Sequence, residues 1–337
     1  MLNRFVQLEI GKASLLTEEI GSIPDDCSLI KIAACGMCGT DEHLFEGMVL
    51  PRGATYPIRP GHEVSGTVVA SNSLPEGQTV LIHPIIPCET CAECLAGVEN
   101  LCRNQSILGI HGVGGMADLL IWPTRRLVAF STQSILSAAI IPDAVTTAYH
   151  ATTKVDLHSV LSVCVIGAGG VGTNILRLAR IINPTLDLLG VVNSQGSSER
   201  LKSENFSSLI GLESLAKRVK LLYSSFDVVF DFSGDARAPS EALKILRKGG
   251  TFVLGGINDS PLTLNLSTSA FVTRGISVIG SYTSNINDLR NVVDLVQSNN
   301  LNFDDAVTHK FPLSEYNAAY ETLTTRPTGL GRILLVP

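Results

Sequence analysis

The chain has 337 residues, enough for two domains at roughly 150 residues each, and 45% of them are hydrophobic, which excludes a disordered or collagen-like chain. Lys and Arg number 25 against 31 Asp and Glu, a formal charge of −6 with no basic block, and this argues against a nucleic-acid surface. The opening MLNRFVQLEIGKAS lacks the unbroken apolar core of a signal peptide, so a soluble, cytoplasmic protein with no membrane partner is expected.

Up to about residue 130, short alternating apolar runs such as VSGTVVAS and QTVLIHP, broken by Gly and Pro, predict an irregular, mostly antiparallel β domain. Within it, CGMCGTDEHLFEG and PGHEVSG carry residue types that bind metals. Thr40 and His43 are three residues apart and share one face of a short helix ended by Gly47. The string CETCAECLAGVENLC then spaces Cys88, Cys91, Cys94 and Cys102 as C-x2-C-x2-C-x7-C. Without a secretory signal the thiols stay reduced, and a tetrahedral zinc suits this spacing better than a disulfide framework. Packed free thiols are the alternative. The position of the loop inside a larger domain points to a structural metal.

From Leu161 the texture changes. LSVCVIGAGGVG, LLGVVNS, FDVVFDFSG, GTFVLGG and ISVIGS are five strand-like runs separated by helical stretches, which predicts a parallel sheet with helices on both faces. SEALKILRKGG is expected to be helical, with Gly249 and Gly250 as its stop. Residues 159–176 are uncharged and long enough to mimic a membrane span, but they hold GAGGVG. There Gly167, Gly169 and Gly172, with Gly170 and Val171 among them, follow a strand and open the helix TNILRLARII. That is the setting of a dinucleotide pyrophosphate loop, in which helix amides meet the phosphates. A glycine-rich turn with no ligand is the other reading.

At the end of LLGVVNS an acidic residue would hold a ribose 2′-hydroxyl. Asn193 stands there instead, followed by Ser194 and Arg200 as donors to a 2′-phosphate, so NADP is expected at least as readily as NAD. For Arg200 a solvated helix face is the alternative. Beyond Tyr282, NDLRNVVDLVQS and SEYNAAYETLTTRP read as helices and RILLVP as a closing strand.

Taken in order, the CGMCGTD, GHE, four-cysteine and GAGGVG strings resemble the zinc-dependent medium-chain alcohol dehydrogenase family over essentially the whole chain. The resemblance implies an α/β protein: a GroES-like β-rich catalytic domain at 1–143, a Rossmann doubly wound domain at 144–281, and a return to the catalytic domain at 282–337. It places the active site in the cleft between domains. It implies Cys38 and His62 as ligands of a catalytic zinc and Glu63 as the acidic residue beside the metal. Taken alone, His62 would read as a structural histidine.

IIPDAVTTAYHAT resembles the string of members with an aspartate ligand, so Asp143 takes the third position, with Val145 where those members have glycine. The alternative is that Asp143 caps the following helix. The resemblance further implies that Thr40 hydrogen-bonds the reacting alkoxide and His43 relays its proton, a solvated helix histidine being the alternative for His43. Thr147 is placed near the nicotinamide and Arg332 near the cofactor phosphates. The implied reaction is reversible hydride transfer between an alcohol, primary or secondary, aliphatic or aryl, and NAD or NADP, giving aldehyde or ketone. One catalytic and one structural zinc per chain and a homodimer or homotetramer go with it. Sugar or polyol oxidation on the same scaffold is the alternative reading. A zinc-free binding protein of this fold is disfavoured, because the ligand positions are retained.

Overall fold

The β-branched, alternating runs of the first third form strands because such side chains pack well on a pleated, half-buried surface. In the computed structural model, which describes residues 1–131 and 134–337, they belong to a unit made of Met1–Thr146 and Ser284–Pro337. Its main sheet runs Val307–Pro312, Arg332–Val336, Cys27–Met37, Glu63–Ser71, Thr79–Ile82 and Leu127–Ala129, with Leu119–Pro123 also paired to Cys27–Met37. Pairing is antiparallel except between Val307–Pro312 and Arg332–Val336. The core is one cluster that includes Ile30, Met37, Val64, Trp122, Leu313 and Ile333, so segments from both ends of the sequence close it.

The second unit, Thr147–Thr283, holds six parallel strands. Their order is Ser207–Ile210, Asp187–Val192, Ser162–Ile166, Phe226–Asp231, Leu246–Leu254 and Ser277–Gly280, that is 3-2-1-4-5-6 in chain order. This is the doubly wound dinucleotide arrangement, whose order reverses beside Ser162–Ile166, the first of the six in chain order. Two sequence expectations are corrected here. Ser207–Ile210 is a sixth strand, and Gly249 and Gly250 lie inside Leu246–Leu254 rather than stopping a helix. The preceding helix, Ala238–Ile245, ends before them because Leu246 already has extended backbone. Among the described residues no helix is long and apolar enough to cross a membrane.

Candidate metal centres and cofactor loop

Cys38 follows the long strand Cys27–Met37 and caps the helix Gly39–Glu46, its thiol accepting the Thr40 amide at 3.3 Å. Asp41, three residues on, accepts the Cys38 amide at 2.9 Å and completes a reciprocal cap. Gly47 closes this one helix in the left-handed region, where glycine carries no Cβ penalty. His62 and Glu63 arrive at the start of Glu63–Ser71, which is antiparallel to Cys27–Met37. Gly36 is opposite Glu63, and a Cβ at Gly36 would collide with the Glu63 carboxylate.

Asp143 comes from a wide π-helical turn, Ile141–Val145, that runs straight into Thr146–Thr152. It does not occupy the N-cap position; its backbone carbonyl accepts the Thr146 amide from inside the turn. Such a turn carries one extra residue and re-aims a side chain, a feature frequent at functional sites. Cys38 Sγ lies 3.1 Å from His62 Nε2, and His62 Nε2 lies 3.8 Å from Asp143 Oδ2. One donor atom each of Cys38, His62, Glu63 and Asp143 falls within 4.8 Å of the others. Donors of a tetrahedral zinc site sit about 3.4–3.6 Å apart, so the spacing accommodates the ion.

The charges around His62 fit a cation as well. Burial opposes a proton there, yet Cys38, Asp41 and Asp143 together raise the imidazole well above its ordinary value. A cluster that draws a proton this strongly attracts a metal cation for the same electrostatic reason. Burial pushes Glu63 up to about 7 against the pull of Arg332, whose guanidinium is ion-paired with it. Asp41 was not singled out by its sequence, yet it is fully buried and its Oδ1 has no partner among the described residues. His62 Nδ1 and the Tyr316 hydroxyl are in the same condition. A metal-bound histidine ordinarily gives its other ring N–H to a carboxylate or carbonyl, and the buried Asp41 carboxylate is one of the charges that raise the His62 imidazole.

The other sequence-derived positions distribute as follows. Thr40 is half-buried on the first turn of its helix, and His43 is exposed one turn later, 4.0 Å from Glu46. Arg332 begins the strand Arg332–Val336, and its guanidinium donates to the Glu63 carboxylate. Thr147 lies on Thr146–Thr152, at the start of the second unit.

The four-cysteine loop forms a second cluster. Cys91 and Cys94 sulfurs are 3.4 Å apart and Cys88 and Cys94 sulfurs 4.0 Å, against about 3.8 Å for the edge of a zinc–thiolate tetrahedron. All four thiols lie within 4.8 Å of each other, and the Cys88 amide points at Cys102 Sγ, 3.3 Å away. This donor set fits a structural zinc.

In the second unit, Gly167 has φ +79°, and a Cβ there would strike the backbone of Ser233. A Cβ on Gly172 would strike the Gly167 carbonyl, so that glycine permits close strand–helix packing. Around Gly169, where a Cβ would sit, the space is open. The amides of Gly170, Val171 and Gly172 begin the helix Gly170–Ile182 and form the N-terminal cradle a pyrophosphate needs. Asn193 follows Asp187–Val192 and is exposed, while the Ser194 hydroxyl accepts the Ser197 amide and caps Gln195–Ser203, the helix that carries Arg200.

Two family models match the chain, the alcohol dehydrogenase GroES-like domain over residues 24–132 and zinc-binding dehydrogenase over 170–298. The chain belongs to the zinc-dependent medium-chain alcohol dehydrogenase family. It is therefore a zinc-dependent oxidoreductase that works with a nicotinamide cofactor. It is similar to D-arabinitol dehydrogenase 1 of Uromyces fabae, 24% identical over 323 residues, which takes in 93% of this chain and 91% of that one. D-arabitol-phosphate dehydrogenase of Enterococcus avium is 27% identical over 307 residues, 88% of this chain and 86% of that one. Among solved structures, a zinc-binding dehydrogenase from Sinorhizobium meliloti bound to NADP matches with a TM-score of 0.89 and 25% identity, and each chain is covered completely.

Proposed function

We propose that Cys38, His62 and Asp143 hold the reactive zinc of an alcohol dehydrogenase, with Glu63 behind them, and that Cys88, Cys91, Cys94 and Cys102 hold a structural zinc. The observation that carries this reading is the convergence of one thiol, one imidazole and one carboxylate, from three separate segments, on a volume of ion size. Zinc held there supplies Lewis acidity, which lets an alcohol hydroxyl ionise near neutral pH. Two anionic protein ligands and one neutral one balance the charge of the ion.

The chain's own residues do the rest. Thr40 offers its hydroxyl to the substrate oxygen, and His43 passes the proton on to solvent from its exposed position. Glu63, countered by Arg332, sets a neutral background behind the ligands. Gly167, Gly169, Gly170, Val171 and Gly172 bind the pyrophosphate, Thr147 contacts the nicotinamide, and Asn193, Ser194 and Arg200 surround the ribose end. The missing acidic residue at Asn193 favours NADP, which the S. meliloti structure holds.

The curated relatives named above act on an alditol and an alditol phosphate, which supports a polyhydroxylated alcohol as the second substrate reading beside simple alcohols. Segments 1–143 and 282–337 form the catalytic domain in this reading, and 144–281 the cofactor domain. Thiolate ligands need a reducing compartment, consistent with the cytoplasm, and the family resemblance supports a homodimer or homotetramer. The deciding experiment is cofactor reduction with NAD and NADP against simple alcohols, aldoses and polyols. Turnover with none of these classes by a protein holding two zinc ions per chain would overturn the proposal.

A further inference from the structure

Glu99 sits between Cys94 and Cys102, yet its carboxylate is engaged away from the cysteine loop. Oε1 accepts Arg126 Nη2 at 2.7 Å and Oε2 accepts Nη1 at 3.2 Å. The same Nη2 lies 2.8 Å from His83 Nδ1, and the carbonyl of His83 accepts the Trp122 indole N–H at 3.0 Å. Arg126 and His83 are buried. Oε1 also accepts the backbone amide of Ile286 at 2.9 Å, across 187 residues of sequence.

Ile286 is the first residue of Ile286–Ser298, the helix by which the chain re-enters the first unit. The local cap satisfies the neighbouring amides: Asn285 Oδ1 takes those of Asn287 and Asp288, and Asp288 Oδ2 takes that of Asn285. The Ile286 amide is out of their reach, and Glu99 supplies its acceptor. A carboxylate at a helix N-terminus is also favoured by the helix dipole. Burial would push Glu99 up, but Arg126 and the Ile286 amide overcome it and hold the carboxyl below its ordinary range.

The helix Ile286–Ser298 in turn packs against Leu127–Ala129 and against Ile141–Val145, the turn that presents Asp143. On the other side, the carbonyl of Glu99 accepts the Cys102 amide at 3.0 Å, so Glu99 is tied to the last thiol of the cluster. We propose that Glu99 is a positioning residue that couples the two metal centres. The metal on Cys88, Cys91, Cys94 and Cys102 orders the segment carrying Glu99, Glu99 fixes the start of Ile286–Ser298, and that helix sets the turn that aims Asp143.

The inference rests on the zinc assignments proposed above. Its test is a double-mutant cycle in which the pair is replaced as a pair, Glu99→Met with Arg126→Met, so that no buried charge is left alone. Cobalt(II) is loaded at Cys38, His62 and Asp143, and loss of its single-thiolate absorption band to EDTA is followed. Amide exchange of 286–288 is read beside it. Cys94→Ser in the otherwise native chain is expected to speed the loss at least tenfold and to expose the Ile286 amide to exchange. In the Glu99→Met, Arg126→Met background, adding Cys94→Ser should change the rate less than threefold. Equal acceleration in both backgrounds, or none in either, overturns the link while leaving the site assignments standing. A native chain that holds fewer than two metal ions overturns the assignments and the link with them.

Discussion

Arg332 and Glu63 form a buried ion pair across 269 residues of sequence, joining the strand Arg332–Val336 to the strand that starts beside His62. Glu63 is fully buried and only 11% of the Arg332 side chain is exposed, so breaking the pair leaves a charge that solvent screens poorly. Arg332→Met should cost about 3–5 kcal/mol of stability in metal-free protein, measured by urea unfolding. A loss under about 1 kcal/mol would show that Glu63 is neutral in the folded chain and needs no counterion.

Asp143 is the sharpest test of the proposed reactive centre, because a metal ligand and a helix cap inside the wide turn Ile141–Val145 respond differently to loss of the charge. Asp143→Asn keeps the shape and deletes one of the two anionic ligands proposed for the site. Zinc should fall from two ions per chain towards one, and kcat/KM should drop at least about a hundredfold, or about 2.7 kcal/mol of transition-state stabilisation. Full zinc with near-normal turnover would transfer the ligand role to Glu63, whose donor oxygen lies in the same cluster.

NADP should be used at least as well as NAD. Arg200, on the helix Gln195–Ser203, is the cation proposed at the ribose end, so the discrimination is expected to rest on its charge. Arg200→Ala should lower kcat/KM with NADP about tenfold and leave NAD within a factor of about two. A wild-type preference for NAD above about a hundredfold would sink the expectation.

Burial pushes His83 down to about 3, and the adjacent Arg126 adds to the effect. An unfolded chain takes up this proton below about pH 6.5, whereas the folded chain refuses it until about pH 3. The unfolded state therefore binds more protons in that window, and stability falls as the pH is lowered through it. At pH 4.5 the loss is roughly 2–3 kcal/mol from this one group. Urea midpoints at pH 7.5 and 4.5 for wild type and His83→Asn should show a smaller acid loss in the variant. Metal release in acid is common to both and cancels in the comparison.

Much of this was legible because the signals are local. The four cysteines of 88–102 cluster within one loop, and the apolar runs of Ser162–Ile166 and Phe226–Asp231 announce strands covered on both faces. Ser207–Ile210 escaped because SSLI at a sheet edge is half polar, and edge strands need only one covered side. Gly249 and Gly250 have the local signature of a helix stop, but they lie within Leu246–Leu254, which pairs with Phe226–Asp231.

Asp41 was hidden behind a local explanation, since an aspartate three residues after a cap needs no further role to justify it. Glu99, Arg126 and Ile286 were unreadable for a different reason: nothing in the spacing of residues 187 apart says that a carboxylate will find an amide. The place of Arg332 beside Glu63 is non-local in the same way.

The distance between Glu63 and Arg332 along the chain also orders events during synthesis. At roughly 5–20 residues per second, the guanidinium leaves the ribosome on the order of 15–50 s after the carboxylate it neutralises. Through that interval Glu63 has been made and its ion-pair partner has not. Arrival of the strand Arg332–Val336 zips onto Cys27–Met37 and delivers the counter-charge in one step. The last strand made is therefore the one that completes both the main sheet of the first unit and the ion pair within it.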